Sequence, residues 1–322
     1  SDIKIENAVN AFKYANVADE DIVRAKTLEE ANTAMEAGKY VACEDANFVS
    51  QANLVECVID ATGVPDVGAK ISTDAMKNQK HVIMLNVETD IVIGPYLRDL
   101  AAKEGVIYSG SDGDEPGAVM HLYSFAKAMG LNVEVIGKGK NNKLDYDCNP
   151  DTVMEEALRR KMSPKFLCAF KDGTKTMVEM TAMSNYTGLV PDVIGGHGPK
   201  TAPGTEGIKE LNEILKLKAD GGILNKHGVV EYVQGIAPGV FATVSTPNDE
   251  IAYQLGYHSM GPGPLWTLYR PYHLCNLETP LSVARAVIEG DATCVAKGDL
   301  VSECITRAKI DLKAGQTIDG IG

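Results

Sequence analysis

The stretch "VIYSGSDGDEPGAVMHLYSFAKAMG" (residues 106–130) contains the two elements from which the fold is predicted. Its apolar beginning, 106–111, predicts a buried strand, and 115–130 predicts a helix that starts near Pro116 and stops at Gly130. Three acids lie where the strand passes into the helix: Asp112, Asp114 and Glu115. A strand followed by a short polar turn and a helix is the repeating unit of α/β proteins.

The same alternation extends on both sides of this stretch. Apolar runs predict strands at 39–45, 55–63, 81–87 and 132–139. The segments between them predict helices at 65–80 and 93–105. Apolar strands separated by helices indicate a parallel sheet that is covered on both faces, with right-handed crossovers. The predicted fold class is therefore α/β.

The pattern changes after this part of the chain. Residues 150–227 are mainly helical by pattern, apart from a glycine- and proline-rich loop at 190–207, which is predicted to be a functional lid or a disordered connector. Strand periodicity returns from residue 228, and a helix follows. The tail is predicted to form short strands with turns.

Composition narrows the classes of function. Acidic residues outnumber basic ones by 44 to 31, which gives a formal charge of −13 and a pI near 5.0. A broad basic surface for nucleic acid or an acidic membrane is therefore excluded. The seven dispersed cysteines form no CxxC pair and predict reduced thiols. Since no apolar run long enough to span a bilayer and no signal peptide is recognisable, we expect a soluble, cytoplasmic protein.

Two predicted strand ends carry candidate cofactor-binding residues. "DATG" (60–63) offers Thr62 and Gly63, and "LNVETD" (85–90) offers Asn86 and Glu88. Ligands bind at the carboxyl ends of parallel strands, and small residues there let the backbone approach a nicotinamide ribose, although a tight strand-to-helix turn needs the same residues. The GxGxxG motif of Rossmann domains does not occur. Either the amino-terminal βαβ unit is absent, or the cofactor is not a dinucleotide.

The three acids of the opening stretch have two interpretations. An acid before Pro116 suits a helix N-cap, where it satisfies free N–H groups and complements the helix dipole. That interpretation does not explain Asp112, and carboxylates so close together repel unless a cation or a substrate hydroxyl lies nearby. We therefore predict that Asp112, Asp114 and Glu115 hold a substrate hydroxyl or a divalent metal, with Asp114 also a catalytic candidate.

Lysines are the other candidates for catalysis. "VIGKGKNNKLD" (135–145) places Lys138, Lys140 and Lys143 directly after a strand, either as a solvated basic turn or as groups that polarise a carbonyl or bind a phosphate. Lys175 and Glu179 are four residues apart on a helix with many apolar neighbours. Because buried ion pairs titrate abnormally, this pair is a candidate for proton transfer.

Two further segments contain histidines. "LYRPYHLC" (268–275) groups Arg270, Tyr272 and His273, which either end a strand or bind substrate, and His197 lies in the glycine-rich loop. No Ser-His-Asp, HExxH or P-loop pattern is present. Arg270, His273 and Lys140 are the substrate-binding candidates alongside Asp112 and Glu115.

Several longer segments taken together carry a resemblance. "CVIDATGVPDVGAK", "VIMLNVETDIVIGPYL", "GSDGDEPGAVMHLYSFAKAMGL", "FKDGTKTMVEM", "YRPYHLCNLETPLSVARAV" and "AKIDLKAGQTIDGIG" are similar to the homoserine-dehydrogenase-like oxidoreductases with a carboxy-terminal SAF domain. One member of that group is described as deoxyxylulose-phosphate-reductoisomerase-like, in isoprenoid precursor synthesis. The similarity extends over nearly the whole chain.

The resemblance implies three domains. Residues 1–145 would form a Rossmann-like dinucleotide-binding domain that lacks its glycine-rich first unit. Residues 146–290 would form an α+β substrate and dimerisation domain, and residues 291–322 would begin a small β SAF domain. NADPH, or NADH, would be the reductant, and we expect a homo-oligomer.

The predicted function follows from the residues and the resemblance together. We expect an NAD(P)H-dependent oxidoreductase acting on the CH–OH group or carbonyl of a small polar compound, phosphorylated or not. Lys138 and Lys175 would polarise or protonate the carbonyl, and Glu179 would relay the proton. Homoserine-dehydrogenase-like chemistry needs no metal, whereas reductoisomerase-like chemistry would be helped by a divalent cation. The alternative is a non-catalytic metabolite-binding or oligomerisation protein, which would leave these side chains dispersed.

Overall fold

The apolar runs form the strands of two separate compact units. A computed structural model describes residues 1–318 and Gly320. The first unit consists of Ser1–Ser111 and Glu278–Val295, and the second of Asp112–Leu277 and Ala296–Gly322. None of the helices in the described part of the chain is long and apolar enough to span a membrane.

The first unit is a parallel α/β arrangement, as predicted. Its strands are β1 (Ile22–Arg24), β2 (Tyr40–Ala42), β3 (Cys57–Asp60), β4 (His81–Met84) and β5 (Tyr108–Gly110). Its helices are α1 (Ile5–Tyr14), α2 (Leu28–Glu36), α3 (Ala46–Gln51), α4 (Pro65–Lys77) and α5 (Val87–Glu104), with a 3₁₀ turn at Asp19–Asp21. Strands β1 and β2 pair with each other, and β3, β4 and β5 form a parallel sheet in that order.

Caps explain where two of these helices begin. Pro65 opens α4, and Asn86 caps α5 because its side-chain oxygen accepts from Thr89 N over 3.3 Å. The cap places the start of α5 at Val87, six residues before the predicted start, because the polar segment that follows β4 continues the helix. Val58, Val82 and Leu97 lie in the core that the helices and the sheet share.

The second unit is built around a mixed five-stranded sheet in which the strand order is β10-β9-β6-β8-β7. Its strands are β6 (Asn132–Lys140), β7 (Val190–Pro191), β8 (Val229–Gln234), β9 (Val240–Ser245) and β10 (Trp266–Arg270). Its helices are α6 (Glu115–Ala128), α7 (Met154–Arg159), α8 (Pro164–Lys171), α9 (Thr174–Thr187), α10 (Gly204–Ile214) and α11 (Asp249–Tyr257), with a 3₁₀ turn at Lys218–Asp220. Helix α12 (Cys275–Ala284) follows and continues as a π-helical turn, Arg285–Glu289, and from Glu278 onward these residues belong to the first unit.

Strand β6 places its residues on two faces of this sheet. Ile136 packs in a core with Val119 and Met180, whereas Val135 packs with Leu211 in another core. Since side chains alternate along a strand, Lys138 and Lys140 share the face of Ile136, on which α6 and α9 lie.

Three expectations about organisation differ from the structure. The compact units divide at 111/112, 277/278 and 295/296 rather than at 145/146 and 290/291. Strand β6 belongs to the second sheet because it pairs in parallel with β8 and antiparallel with β9. Beyond Arg270 the described residues contain no strand, so the predicted short strands of the tail are not formed. Of the predicted SAF segment, Asp319, Ile321 and Gly322 lie outside the described residues, and the SAF assignment itself stays a prediction.

The glycine-rich loop at 190–207 is held against β8 rather than disordered. Buried Glu231 accepts hydrogen bonds from His197 N at 2.8 Å and Gly198 N at 3.1 Å. A side chain on Gly198 would collide with the Tyr232 ring, and the φ of +59° at that residue also favours glycine. The glycines therefore let the loop approach the strand closely.

Candidate functional site

Five predicted residues converge in the second unit. Lys138 on β6 donates hydrogen bonds to Glu115 at the start of α6 and to Glu179 on α9. Lys175, one turn before Glu179, places its Nζ 3.8 Å from Glu179 Oε1. Carboxylate oxygens of Asp114, Glu115 and Glu179 all lie within 4.8 Å of one another. We call Asp114, Glu115, Lys138, Lys175 and Glu179 the lysine–carboxylate cluster.

The helix start that carries the acids is more than a cap. Asp114 occupies the N-cap position of α6, but its side chain makes no capping hydrogen bond. Its Oδ1 accepts from Cys275 Sγ at 3.5 Å, and its buried Oδ2 has no hydrogen-bond partner among the residues that the structure describes. A buried oxygen without a partner is costly, so Asp114 is disposed to hold a proton or to accept from a ligand.

Burial and neighbouring charges spread the pKa values of the three carboxyls. Desolvation, helped by the Glu115 charge, raises the pKa of Glu179 to about 8 even though Lys138 and Lys175 oppose the shift. Desolvation likewise raises the pKa of Asp114 to about 6. Burial also acts to raise the pKa of Glu115, but Lys138 and His273 outweigh it and hold that pKa well below its usual range. At neutral pH, Glu179 therefore carries a proton and Glu115 a negative charge.

Lys138 keeps its proton in this surrounding. Burial alone would lower the pKa of Lys138, but the negative charges of Glu179, when that carboxyl is ionised, and of Glu115 outweigh burial and raise it. An ammonium has three N–H donors, and two of them are used by the carboxylates. Among the residues that the structure describes, Lys138 makes no other hydrogen bond, so one donor remains for a substrate oxygen.

His273 is the accessible neighbour of the cluster. Its Nδ1 lies 2.7 Å from the carbonyl oxygen of Pro238, and a carbonyl only accepts, so Nδ1 carries the hydrogen. Nε2 then lies 3.6 Å from Glu115 Oε1. The side chain of His273 is 20% exposed, compared with 2% for Glu179, so His273 is the more accessible of the two to solvent.

A divalent cation was predicted at the acids of this cluster. The three carboxylates offer suitable oxygen ligands, but the Lys138 ammonium lies between two of them. Asp112, which was predicted to join a metal site, instead has its Oδ1 2.5 Å from His121 Nε2. The sequence did not indicate Glu179 as a partner of these acids, since 64 residues separate it from Asp114 and no local spacing connects them.

The other predicted substrate-binding residues lie on the same unit with different contacts. Lys140 is buried and donates to the Phe170 carbonyl over 2.6 Å, and burial, followed by the Lys138 charge, lowers its pKa. Arg270 places its guanidinium 4.7 Å from the centre of the Tyr272 ring. Lys143 is exposed, and His197 Nε2 lies 2.7 Å from Asp192.

The predicted cofactor-binding residues lie at the carboxyl ends of β3 and β4 in the first unit. Thr62 is exposed, and Gly63 has a φ of +66°, which favours glycine. Asn86 is buried, and its amide donates to Asp60, Thr62 and the Val64 carbonyl. Asn86 therefore fixes the turn rather than facing solvent, and Glu88 is half-buried.

Comparison with known proteins gives a family and a set of structural likenesses. The family model for the catalytic domain of the oxidoreductase DRL matches residues 113–279, just over half of the chain. No curated protein matches the chain.

Solved structures with some likeness are distant. An oxidoreductase from Bacillus cereus is 10% identical over 87% of this chain and 83% of its own, with a TM-score of 0.36. An oxidoreductase domain protein from Kribbella flavida is 16% identical over 47% and 44%, with a TM-score of 0.29. The WlbA dehydrogenase from Bordetella pertussis, solved with NADH and UDP-GlcNAcA, is 12% identical over 46% of each chain, with a TM-score of 0.27. The chain spans less than half of the length of the first solved structures that it matches.

Proposed function

Because the chain belongs to the DRL oxidoreductase family, we propose that it transfers a hydride between a nicotinamide cofactor and a small polar carbonyl or hydroxy compound, phosphorylated or not. The observation that carries this proposal is the Lys138 ammonium, held between Glu115 and Glu179 with one N–H left for a substrate oxygen.

Proton transfer is the part of the reaction that these residues would perform. Lys138 would donate to the substrate oxygen and stabilise the negative charge that develops there on reduction. Glu179, which carries a proton at neutral pH, would replace the proton that Lys138 gives up. Glu115 stays ionised and keeps Lys138 in its charged form. In the oxidative direction the same groups would accept the proton.

The cofactor would be NADPH or NADH, and it would supply or accept the hydride. The exposed Thr62–Gly63 turn at the carboxyl end of β3 suits the approach of a nicotinamide ribose. Asn86 does not suit cofactor binding, because its amide already donates its hydrogen bonds within the turn.

Two versions of the chemistry fall within this proposal. Homoserine-dehydrogenase-like hydride transfer uses the cluster as it is. Reductoisomerase-like chemistry rearranges carbon–carbon bonds first and would be helped by a divalent cation. The position of Lys138 between two carboxylates favours the first version. The alternative of a non-catalytic binder predicts dispersed side chains, and the convergence of the residues of the lysine–carboxylate cluster supports an enzyme instead.

The test is turnover by the full chain and two variants. Wild type, Lys138→Met and Lys143→Met are titrated with NADPH and NADH by nicotinamide fluorescence and assayed on small ketoses and semialdehydes. Lys138→Met should lose about 10²–10⁴-fold in kcat, as is typical when a general acid is removed, and should keep its cofactor affinity. Lys143→Met, an exposed lysine in the same segment, should behave as wild type.

Folding is checked separately by circular dichroism. Lys138→Met leaves two buried carboxyls without their cation, so Lys175→Met is the milder second variant and should fold while its turnover falls. Wild-type turnover in a folded Lys138→Met would overturn the proposal.

We also propose that the protein forms a homo-oligomer. Sedimentation velocity of the same preparations would test this.

A further inference from the structure

The tail after residue 296 runs along helix α9 of the second unit. At the carboxyl end of α9, the side-chain oxygen of Asn185 accepts from Val301 N at 2.9 Å and Ser302 N at 3.1 Å. The Asn185 amide donates to the Ser302 carbonyl at 3.2 Å, and Lys297 N donates to the Asn185 carbonyl at 3.0 Å. Asn185 is 2% exposed, so these bonds satisfy a buried amide.

Further contacts follow the helix toward its amino end. Ser184 Oγ and Ser302 Oγ are 2.6 Å apart, and Thr181 Oγ1 lies 3.1 Å from Cys304 Sγ. Residues 181, 184 and 185 share one face of a helix. The tail and α9 therefore run in opposite directions.

The amino end of α9 is fixed by an ion pair whose carboxylate is buried and whose ammonium is partly exposed. Lys309 Nζ donates to Asp172 Oδ2 at 2.7 Å, and Asp172 Oδ1 accepts from Thr174 N, the first residue of α9, at 2.8 Å. The same ammonium donates to the Cys148 carbonyl at 2.6 Å. The Asp172 side chain is 5% exposed, so loss of Lys309 would leave a buried carboxylate without its cation.

We propose that residues 297–309 are a strap that holds α9 in place, and that Lys309 is a positioning residue for Lys175 and Glu179. Lys175 lies in the first turn of α9, directly after the N–H that Asp172 accepts, and Glu179 lies one turn further. The strap rests on geometry alone. Only the chemical role of the two residues that it positions rests on the proposed function.

The experiment compares Lys309→Met with Lys313→Met in the full chain. Both variants remove one positive charge from the tail, but only Lys309 reaches Asp172. Amide hydrogen exchange over α9 is measured first. Lys309→Met should speed exchange in the first two turns of α9 by about tenfold or more, because this segment then opens locally, while amides of the first unit are unchanged. Lys313→Met should match wild type.

A second readout separates positioning from mere stability. The titration of Glu179, followed by carbon NMR of labelled glutamate, should shift in Lys309→Met and not in Lys313→Met. Ser302→Ala, a milder change, should speed exchange only near the carboxyl end of α9. Unchanged α9 exchange in Lys309→Met, or an equal increase throughout both units, would overturn the strap. Neither measurement needs a substrate, so both would still test the strap if the proposed reaction were not found.

Discussion

Glu179 is a buried carboxyl whose protonation links the proposed chemistry to stability. Its pKa is raised to about 8 in the folded protein from an ordinary value of 4.5, by burial and by the Glu115 charge. Between those values the folded state binds the proton and the unfolded state does not, so raising the pH removes stability. The contribution of Glu179 to the free energy of unfolding should therefore fall as the pH rises from about 5 to about 8, with a slope of up to about 1.4 kcal/mol per pH unit.

Urea denaturation at several pH values checks this dependence in wild type and in Glu179→Gln. The glutamine does not titrate, so the variant should show a flatter profile over the same range. The difference between the two profiles isolates Glu179, because the two proteins differ at no other titratable group. Parallel profiles would show that Glu179 is ionised in the folded protein at neutral pH.

The sequence predicted which single residues are candidates for chemistry better than it predicted which residues they contact. Lys175 and Glu179 were chosen because four residues separate them on a helix with apolar neighbours, and the structure places both on α9 with residues 178–187 buried. Asp112 was grouped with Asp114 by proximity in the chain, but its Oδ1 lies within hydrogen-bond distance of His121 Nε2. Asn86 was chosen for its strand end, and the structure uses its amide within the turn. Partners brought together by folding leave no local signal.

At the scale of elements, strand β6 depends on the glycines that alternate with its lysines. A Cβ on Gly137 would meet the backbone oxygen of Glu231 on β8, and a Cβ on Gly139 would meet the backbone of Ala237. Backbone atoms cannot move aside as a flexible side chain can. Gly137→Ala should therefore destabilise the second unit by about 1–3 kcal/mol, as overpacking typically does.

The matched control for this change is Gly298→Ala. A Cβ at Gly298 would meet nothing within 4 Å, so that substitution should leave the thermal midpoint within error of wild type. Differential scanning calorimetry of both variants measures the effect. A Gly137→Ala protein as stable as Gly298→Ala would mean that β6 and β8 can separate slightly without cost.

Most elements could be predicted from local pattern, but their assembly could not. Alternation of apolar runs and helices predicted β3, α4, β4 and β5 in the first unit, because each signal is contained within the element itself. The partners of β6 are β8 and β9, which follow it in the chain by about a hundred residues. The sequence of β6 alone does not tell whether the strand joins the first sheet, as predicted, or forms the centre of the second, as the structure has it.

At the scale of the whole molecule, the first unit needs residues from a distant part of the chain. Gly110 N, on β5, donates to the Cys294 carbonyl over 2.8 Å, and Ser109 Oγ accepts from Thr293 N over 2.9 Å. Val295 also packs against the core of this unit. The return of the chain at 278–295 therefore covers β5, the last strand of the three-stranded sheet.

A fragment cut at the boundary that the sequence suggests should therefore not fold. Residues 1–145 lack the segment that covers β5 and contain β6 without β8 and β9, which would expose an apolar strand with two unpaired edges. A chain in which a short glycine–serine linker joins 1–111 to 278–295 keeps the first unit complete. The linked chain should unfold cooperatively in urea, whereas the 1–145 fragment should show no cooperative transition and should bind a hydrophobic dye. The opposite result would mean that β6 stabilises the first unit and that the division at 111/112 does not mark an independent folding unit.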